Sequence, residues 1–543
     1  MPIKDLKLQK VLLIEDFPSM SAAIKTMLFS IHLTNITEVT TGMAAIHAME
    51  GEQFDIILCD YNLGRGKNGL QVLEESRERK LLRPHTAFII VTAENIQSMV
   101  LGLVENNPDD YLSKPFTAQL LLTRIQRAFE HKEFFKRIDE AIFEDNYPLA
   151  IEFCDLYLRR KKSNKMHSAL LRKRAELALY MLDYEMAQNI YRTILKKREL
   201  SWAMIGLAVT FQHQEKHHEA IKLFLDIIHK YPMKMQSYDL LALSYEAIDE
   251  HSNAQHTLHD AVKLSPNILK RQRNLAYIAK KTGDWYAAEA AEQSVLSLGK
   301  YSIFRKPTDF SNLAQTLDSL NKTIEAIEVL KTLIKEFPND PSVELLSHIT
   351  ESEIFYNSDD IELSEHAFIK ALDLKQHQNT LEKESKLSMA KVCHINHRDE
   401  LANDILDDLI SNHIDDNEFI TDLNNMNRSL GHEDLTDNKI DIARKQMVET
   451  NNEAISLFKK GKINDAIAIL IEAFKKTPDN KTIILNIIKI LLHQIKISKP
   501  TTHNMKNVKF YIEKARAGNV AQNKLNRIQM EYAKLMHQLK QGE

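Results

Sequence analysis

One alanine returns at a near-constant interval through the last three-quarters of the chain, and it limits the fold more than any other feature. It falls at Ala150, Ala187, Ala220, Ala254, Ala288 and Ala326, then at Ala402 and Ala466, with Ser364 standing between them. The steps are 37, 33, 34, 34, 38, 38, 38 and 64 residues. A second small residue lies twelve positions earlier, at Ala175, Ala208, Ala242, Ala276, Ala314, Ala390 and Ala454. A proline often follows twelve positions later, at Pro232, Pro266, Pro338 and Pro478. Two helices cross closely only where small side chains face each other, and a proline stops the second helix before the next pair begins. The register therefore predicts a stack of helix pairs.

Composition agrees with a largely helical chain. Thirteen Gly and 13 Pro in 543 residues argue against a loop-rich β architecture, and the length suggests three or four units. Seventy-one basic and 75 acidic residues leave a formal charge of −4, with no overall pull towards nucleic acid or an anionic membrane. Cys59, Cys154 and Cys393 lie far apart with no CxxC, which suits a reduced, cytoplasmic protein. The opening MPIKDLKLQK lacks the apolar core of a signal peptide. No stretch approaches the roughly 20 apolar residues that span a bilayer.

The first 130 residues follow another rule. Apolar runs of strand length recur at Val11–Ile14, Phe54–Leu58 and Ala87–Val91, with fainter ones near Ile36–Val39 and Tyr111–Leu112. Helix-length segments such as Met20–Ile31 and Ala44–Met49 separate them. Alternation of this kind predicts an α/β doubly wound, five-stranded parallel sheet covered on both faces. The strand ends are polar: Glu15-Asp16 after the first, Asp60 at the third, Thr92 at the fourth, and Ser113-Lys114-Pro115 after the fifth. In a parallel sheet these ends share one edge, where ligands bind. Three carboxylates held together need a counter-cation, and an oxygen-rich set with room for water suits Mg²⁺. A carboxylate nucleophile, a metal and a lysine are the parts that phosphoryl transfer to aspartate requires.

These residues resemble the receiver (CheY-like) domain of two-component response regulators. The resemblance covers about the first 120 residues, and the spacings of 44, 32 and 22 between Asp16, Asp60, Thr92 and Lys114 are similar to the family's. It implies that Asp60 accepts a phosphoryl group from a sensor histidine kinase. Glu15, Asp16, Asp60 and the backbone carbonyl of Asn62 would hold Mg²⁺, while Thr92 and Lys114 would bind the phosphoryl group. Tyr111 would be the switch aromatic beside Thr92, and Lys114-Pro115 would be a cis peptide aiming the lysine into the site. Asn62 and Glu94, two beyond Asp60 and Thr92, resemble the pair of the chemotaxis receiver and would orient water, giving a short-lived phosphoryl group. The chain departs from the family pattern with Gly64 where proline is frequent. Gly69 comes one residue late, implying a small insertion around Arg65-Gly66-Lys67. Cys59 reads as a packed strand residue rather than a redox sensor.

Between Pro115 and Pro148 there is neither glycine nor proline. Either one helix runs from the first domain into the second, as a rigid joint, or two helices meet at a polar turn near His131-Lys132-Glu133. Beyond it, the period near 34 resembles tetratricopeptide repeats. The expected domains are the receiver over 1–130, repeats over 131–415, an irregular helical connection over 416–447, and further repeats with a capping helix over 448–543. Tetratricopeptide repeats bind protein segments and carry no catalytic apparatus, so the resemblance implies a response regulator, of the VieB-type arrangement, with a protein-binding output and no enzymatic activity. The basic runs Arg159–Lys162 and Lys270–Arg273 read as solvated helix ends, and His217, His218, His251, His256 and His259 as surface histidines. A nucleic-acid-binding regulator and a scaffold with an idle receiver are the alternatives, a membrane partner is not expected, and a homodimer stays open.

Overall fold

In the computed structural model, which describes residues 8–93, 101–102, 105–159, 166–430, 433–498, 501–518, 520 and 522–542, the strand-length runs form one parallel sheet. Its strands are β1 (Lys10–Ile14), β2 (Asn35–Val39), β3 (Ile56–Asp60), β4 (Ala87–Thr92) and β5 (Asp110–Ser113), in the order β2-β1-β3-β4-β5. Side chains alternate across a strand. Leu12, Ile14, Ile57, Cys59, Phe88 and Ile90 accordingly pack against α2 (Gly42–Gly51) and α3 (Gly69–Glu78). Val11, Leu13, Ile56, Leu58, Ile89 and Val91 pack on the opposite face, against α1 (Pro18–Ser30) and the start of α4 (Ala118–Phe143). Both faces are covered, which is why the central strands are apolar throughout.

Helix α4 resolves the question of the junction. It is 26 residues long, roughly 39 Å at the usual rise, and passes through His131-Lys132-Glu133 without a break. Thr117 caps its start by accepting the Leu120 N–H. Leu121 and Ile125 lie on the sheet, while Phe135, Ile138 and Ala141 are buried further along the same helix. Lys132, midway, reaches back to Asp109 at 2.8 Å. The expected boundary at residues 130/131 thus falls inside one helix.

The chain divides into two compact units, Met1–Leu179 with Asp183–Arg305, and Tyr180–Leu182 with Lys306–Glu543. From Tyr147 onward every regular element among the described residues is helical. The alanine register is what holds the pairs together: Ala150, Ala187, Ala220, Ala254, Ala288, Ala326, Ala402 and Ala466 are all wholly buried. Where Ser364 replaces alanine, the residue twelve before it is Ser352, and both are buried. The Ser364 hydroxyl donates to the Ser352 carbonyl at 2.8 Å, and the two hydroxyls are 3.1 Å apart. That crossing keeps its small side chains and satisfies their polar atoms.

Each pair also turns in the same way. A residue with positive φ precedes the crossing residue by five, at Asp145, Leu182, Glu215, Asp249, Gly283, Asn321, Asp359, His397 and Gly461. The following amide bonds back to a carbonyl five residues earlier, as in Asn146 to Ala141, Lys216 to Phe211 and Lys462 to Leu457. This closes the first helix of each pair with a left-handed C-terminal cap.

One expected boundary moves. The stretch 416–447, expected as an irregular helical connection, is helical, in Asn417–Leu430 and Glu433–Lys459. The second crosses residues 447/448 because its two halves serve different cores: Ile440 packs with Phe419 and Leu423, and Ala454 with Ala466 and Leu470. The last helices are Lys481–Ser498, Thr502–Ala517 and Gln522–Gly542. Among the described residues no helix is long and apolar enough to cross a membrane.

Candidate functional site

The sheet brings its polar strand ends to one edge. Asp60 closes β3 and Thr92 closes β4, while Glu15 follows β1 and Lys114 follows β5. Glu15, Asp60 and Thr92 are buried, at 1%, 7% and 1% exposure. Lys114 Nζ lies 2.8 Å from Glu15 Oε2 and 3.1 Å from Asp60 Oδ2. The Lys114–Pro115 bond is cis. Glu15, Asp16, Asp60, Asn62, Thr92 and Lys114 all line one cavity of about 490 Å³.

The cavity gathers three carboxylates that could hold a cation. Carboxylate oxygens of Glu15, Asp16 and Asp60 lie within 4.8 Å of one another. Burial pushes the Asp60 carboxyl above its ordinary range; Lys114 opposes the shift and Asp16 adds to it. Burial likewise raises Glu15, with Lys114 opposing and Asp60 adding. Burial, with like charge adding to it, makes both carboxyls costly to ionise, and an all-oxygen donor set of this kind fits a hard divalent ion. Cys59 is fully buried beside them, its thiol held well above the usual value by burial and donating to the Asp60 carbonyl at 3.3 Å.

Tyr111 lies on β5, paired with Ile90 of β4, and is about one-third exposed. Asn62 is exposed at the cavity rim, where its Oδ1 accepts the Gly64 N–H at 3.4 Å. Glu94 lies outside the described residues. Both unusual glycines have a physical cause. Gly64 has φ +66°, which proline cannot adopt, and a Cβ there would come within 3.0 Å of Asp16 Oδ2. A Cβ on Gly69 would fall 2.3 Å from the Asp60 carbonyl oxygen.

The loop between these glycines makes a connection that the sequence did not suggest. Lys67 Nζ donates to the Tyr301 carbonyl at 2.7 Å, and Gln71 Nε2 to the Leu298 carbonyl at 3.0 Å. Asp60 is therefore seven residues from a contact with the turn that follows the repeat helix Trp285–Gly299 of its own unit. Lys67 is also 2.8 Å from Glu75, with both side chains largely buried.

Residues 11–126 match the family model described as the response regulator receiver domain. The chain is 31% identical over 121 residues to chemotaxis protein CheY of Pseudomonas aeruginosa, covering 22% of this chain and 96% of that protein. The chain belongs to the response regulator receiver family. The receiver is also 34% identical over 117 residues to transcriptional regulatory protein CiaR of Streptococcus pneumoniae, covering 22% of this chain and 50% of that protein. Among solved structures, a receiver domain of a Pseudomonas aeruginosa sensor histidine kinase, described with magnesium coordinated in its active-site cleft, is 30% identical. It covers 22% of this chain and 98% of that one, with a TM-score of 0.21. The C-terminal part of a TPR repeat-containing protein from Cytophaga hutchinsonii is 15% identical over 47% of this chain and 99% of that one, with a TM-score of 0.37. Behind the receiver stands a tetratricopeptide-like array, by its buried small-residue crossings and repeated turns.

One basic run requires correction. Lys270–Arg273 does not form a solvated helix end: Arg271 is 1% exposed and Gln272 is 3% exposed. The run opens the helix Leu269–Thr282, and one turn of a helix cannot keep adjacent residues all on one face. Gln272 Nε2 donates to the Pro266 carbonyl at 2.8 Å. The Arg159–Lys162 run lies outside the described residues beyond Arg159.

Proposed function

We propose that the protein is a cytoplasmic response regulator in which a sensor histidine kinase phosphorylates Asp60 and the repeats bind a protein partner according to that state. The observation that carries this reading is the buried cluster of Glu15, Asp60 and Lys114 beside Asp16. Glu15, Asp16, Asp60 and the Asn62 carbonyl would hold Mg²⁺, which when bound neutralises charge on the carboxylates and the incoming phosphoryl group. An Asp60 carboxylate oxygen forms the new bond to phosphorus as the bond to the kinase histidine nitrogen breaks. Lys114 already spans Glu15 and Asp60, so its ammonium can pass from the carboxylate to a phosphoryl oxygen with little movement. Thr92 supplies a hydroxyl at the neighbouring strand end, and its shift would draw Tyr111 inward as the switch. Asn62, with Glu94, would orient the water that removes the group.

The test is phosphoryl uptake from acetyl phosphate, followed by phosphate-affinity electrophoresis with and without Mg²⁺. Uptake that needs Mg²⁺ and disappears in Asp60→Asn supports the reading. Equal labelling of the Asp60→Asn chain would remove Asp60 as the acceptor.

A further inference from the structure

Among the described residues, the most completely enclosed cation of the repeat helices in the first unit is not idle. Arg271, whose side chain is 0% exposed, has its five N–H donors directed at three groups. Nε and Nη2 fork onto Asp239 at 2.8 and 2.7 Å. Nη1 donates to the Ser265 carbonyl at 3.0 Å. The remaining donors reach both oxygens of Glu105, which belongs to the receiver, and the Ser265 hydroxyl donates to the same carboxylate at 2.7 Å. A planar fork with a hydroxyl beside it is the geometry that recognises a carboxylate.

The receiver contributes an apolar anchor as well. Leu101, four residues before Glu105 in the sequence, packs with Met235, Tyr238 and Ala261 of the repeats. Between the two, a Cβ built on Gly102 would meet Ile268 and Ser265 only at 3.9 and 4.0 Å, so the groove would accept a side chain there. Among the described residues, the receiver leaves part of the groove open. Beside Leu101 and Glu105 an open cavity of about 510 Å³ continues past Trp202, Val209 and Met233.

We infer that the Arg271–Ser265 clamp and the adjoining groove, part apolar and part charged, form the partner site of the repeats, occupied in this structure by the receiver's own Leu101 and Glu105. The partner segment is a helix with an apolar residue one turn before a carboxylate, long enough to reach Trp202. The inference rests on the reading of the repeats as a protein-binding output and adds the chemistry of what they bind. Receiver and partner compete for one guanidinium, so the free chain binds its partner only in the fraction of time the receiver is away.

The probe is a fluorescein-labelled peptide with the sequence of residues 97–109, titrated by anisotropy into the full chain. If the receiver is docked about nine-tenths of the time, Glu105→Ala should bind the peptide about tenfold tighter than wild type. Adding Arg271→Met, which keeps the buried stem, should abolish that gain. Ser265→Ala should reduce it several-fold, which keeps the test alive if Arg271→Met misfolds by circular dichroism. A peptide carrying Glu105→Gln should bind as weakly as the double variant does. Equal affinity of wild type and Glu105→Ala, no binding by a folded Glu105→Ala chain, or a gain that survives Arg271→Met would each overturn the inference. Beryllofluoride with Mg²⁺ separates the two readings. A gain in Glu105→Ala without any effect of beryllofluoride on wild type keeps the clamp and discards the phosphorylation switch.

Discussion

The receiver and the repeats bury polar groups in opposite ways. At the receiver's sheet edge, Glu15 and Asp60 are buried although the surroundings raise both above their ordinary range, and the one cation between them is shared. In the repeats, the closest crossings are made by wholly buried alanines, and even the Ser352–Ser364 crossing leaves no hydroxyl unsatisfied. Charge left short of compensation makes a reactive site. Small side chains at a fixed spacing make a scaffold, on which a buried charge such as Arg271 is the exception.

The sharpest way to separate the two is to change one region and watch the other. Asp60→Asn should lower phosphoryl uptake by at least about a hundredfold, the scale on which losing a nucleophile acts, while the urea unfolding of the repeats keeps its midpoint. A matched change in the array is Ala326→Leu, which forces three more heavy atoms into a wholly buried crossing. Overpacking of that kind costs about 2–3 kcal/mol, read as a lower urea midpoint by circular dichroism, with the rate of uptake from acetyl phosphate unchanged. Parallel loss of both properties in either variant would mean that the two cores are coupled.

The third measurement uses pH. Asp60 and Glu15 have folded-state values raised above their unfolded ones, so the folded chain holds more protons than the unfolded one above about pH 4. Their contribution to stability is therefore present at low pH and is lost as pH rises through the folded values. In EDTA, the Asp60→Asn chain should lose less stability than wild type between pH 4 and 7, and saturating Mg²⁺ should raise the wild-type melting temperature more than that of the variant. An identical pH slope for the two chains would show that burial at this edge carries no electrostatic cost.

The smallest effect belongs to the turns. Glu215 is exposed with φ 61°, a backbone conformation that costs a non-glycine residue about 1 kcal/mol. Glu215→Gly should raise the urea stability by about 0.5 kcal/mol once the flexibility of glycine in the unfolded chain is subtracted. A decrease would show that the side chain contributes something at that turn.

Much of this was legible in residues alone because both regions depend on fixed counts. Strand ends sort Glu15, Asp16, Asp60, Thr92 and Lys114 onto one edge with no further information, and the alanines announce their own crossings. What was not legible depends on three-dimensional neighbours. Arg271 lies among Lys270, Gln272 and Arg273, where charge alone suggests water. Only the approach of Asp239, Ser265 and Glu105 shows it enclosed. Lys67 looked like part of an inserted loop, and nothing local links it to Tyr301, 234 residues away. The Asn417–Leu430 helix and the first half of Glu433–Lys459, before Ala454, lacked the alanine register; Ile440 packs with Phe419 and Leu423, in a different core from Ala454. Most turns were hidden too, since Asp145, Leu182, Glu215, Asp249, Asn321, Asp359 and His397 take a conformation that sequence reading assigns to glycine.

Those turns have a consequence for how the array can change length. The positive-φ residue and the crossing residue are always five apart, and the small residue facing the crossing is twelve before it, yet the interval between repeats ranges from 33 to 38 over most of the array. All the slack lies outside that block, in the joints between one pair and the next. An insertion of a few residues in such a joint, near Asn339 for instance, leaves every crossing in register, whereas one residue added between Ala314 and Ala326 rotates a helix off its partner. The joints are thus the natural positions for a reporter tag, and they are where related arrays can diverge in length without losing their packing.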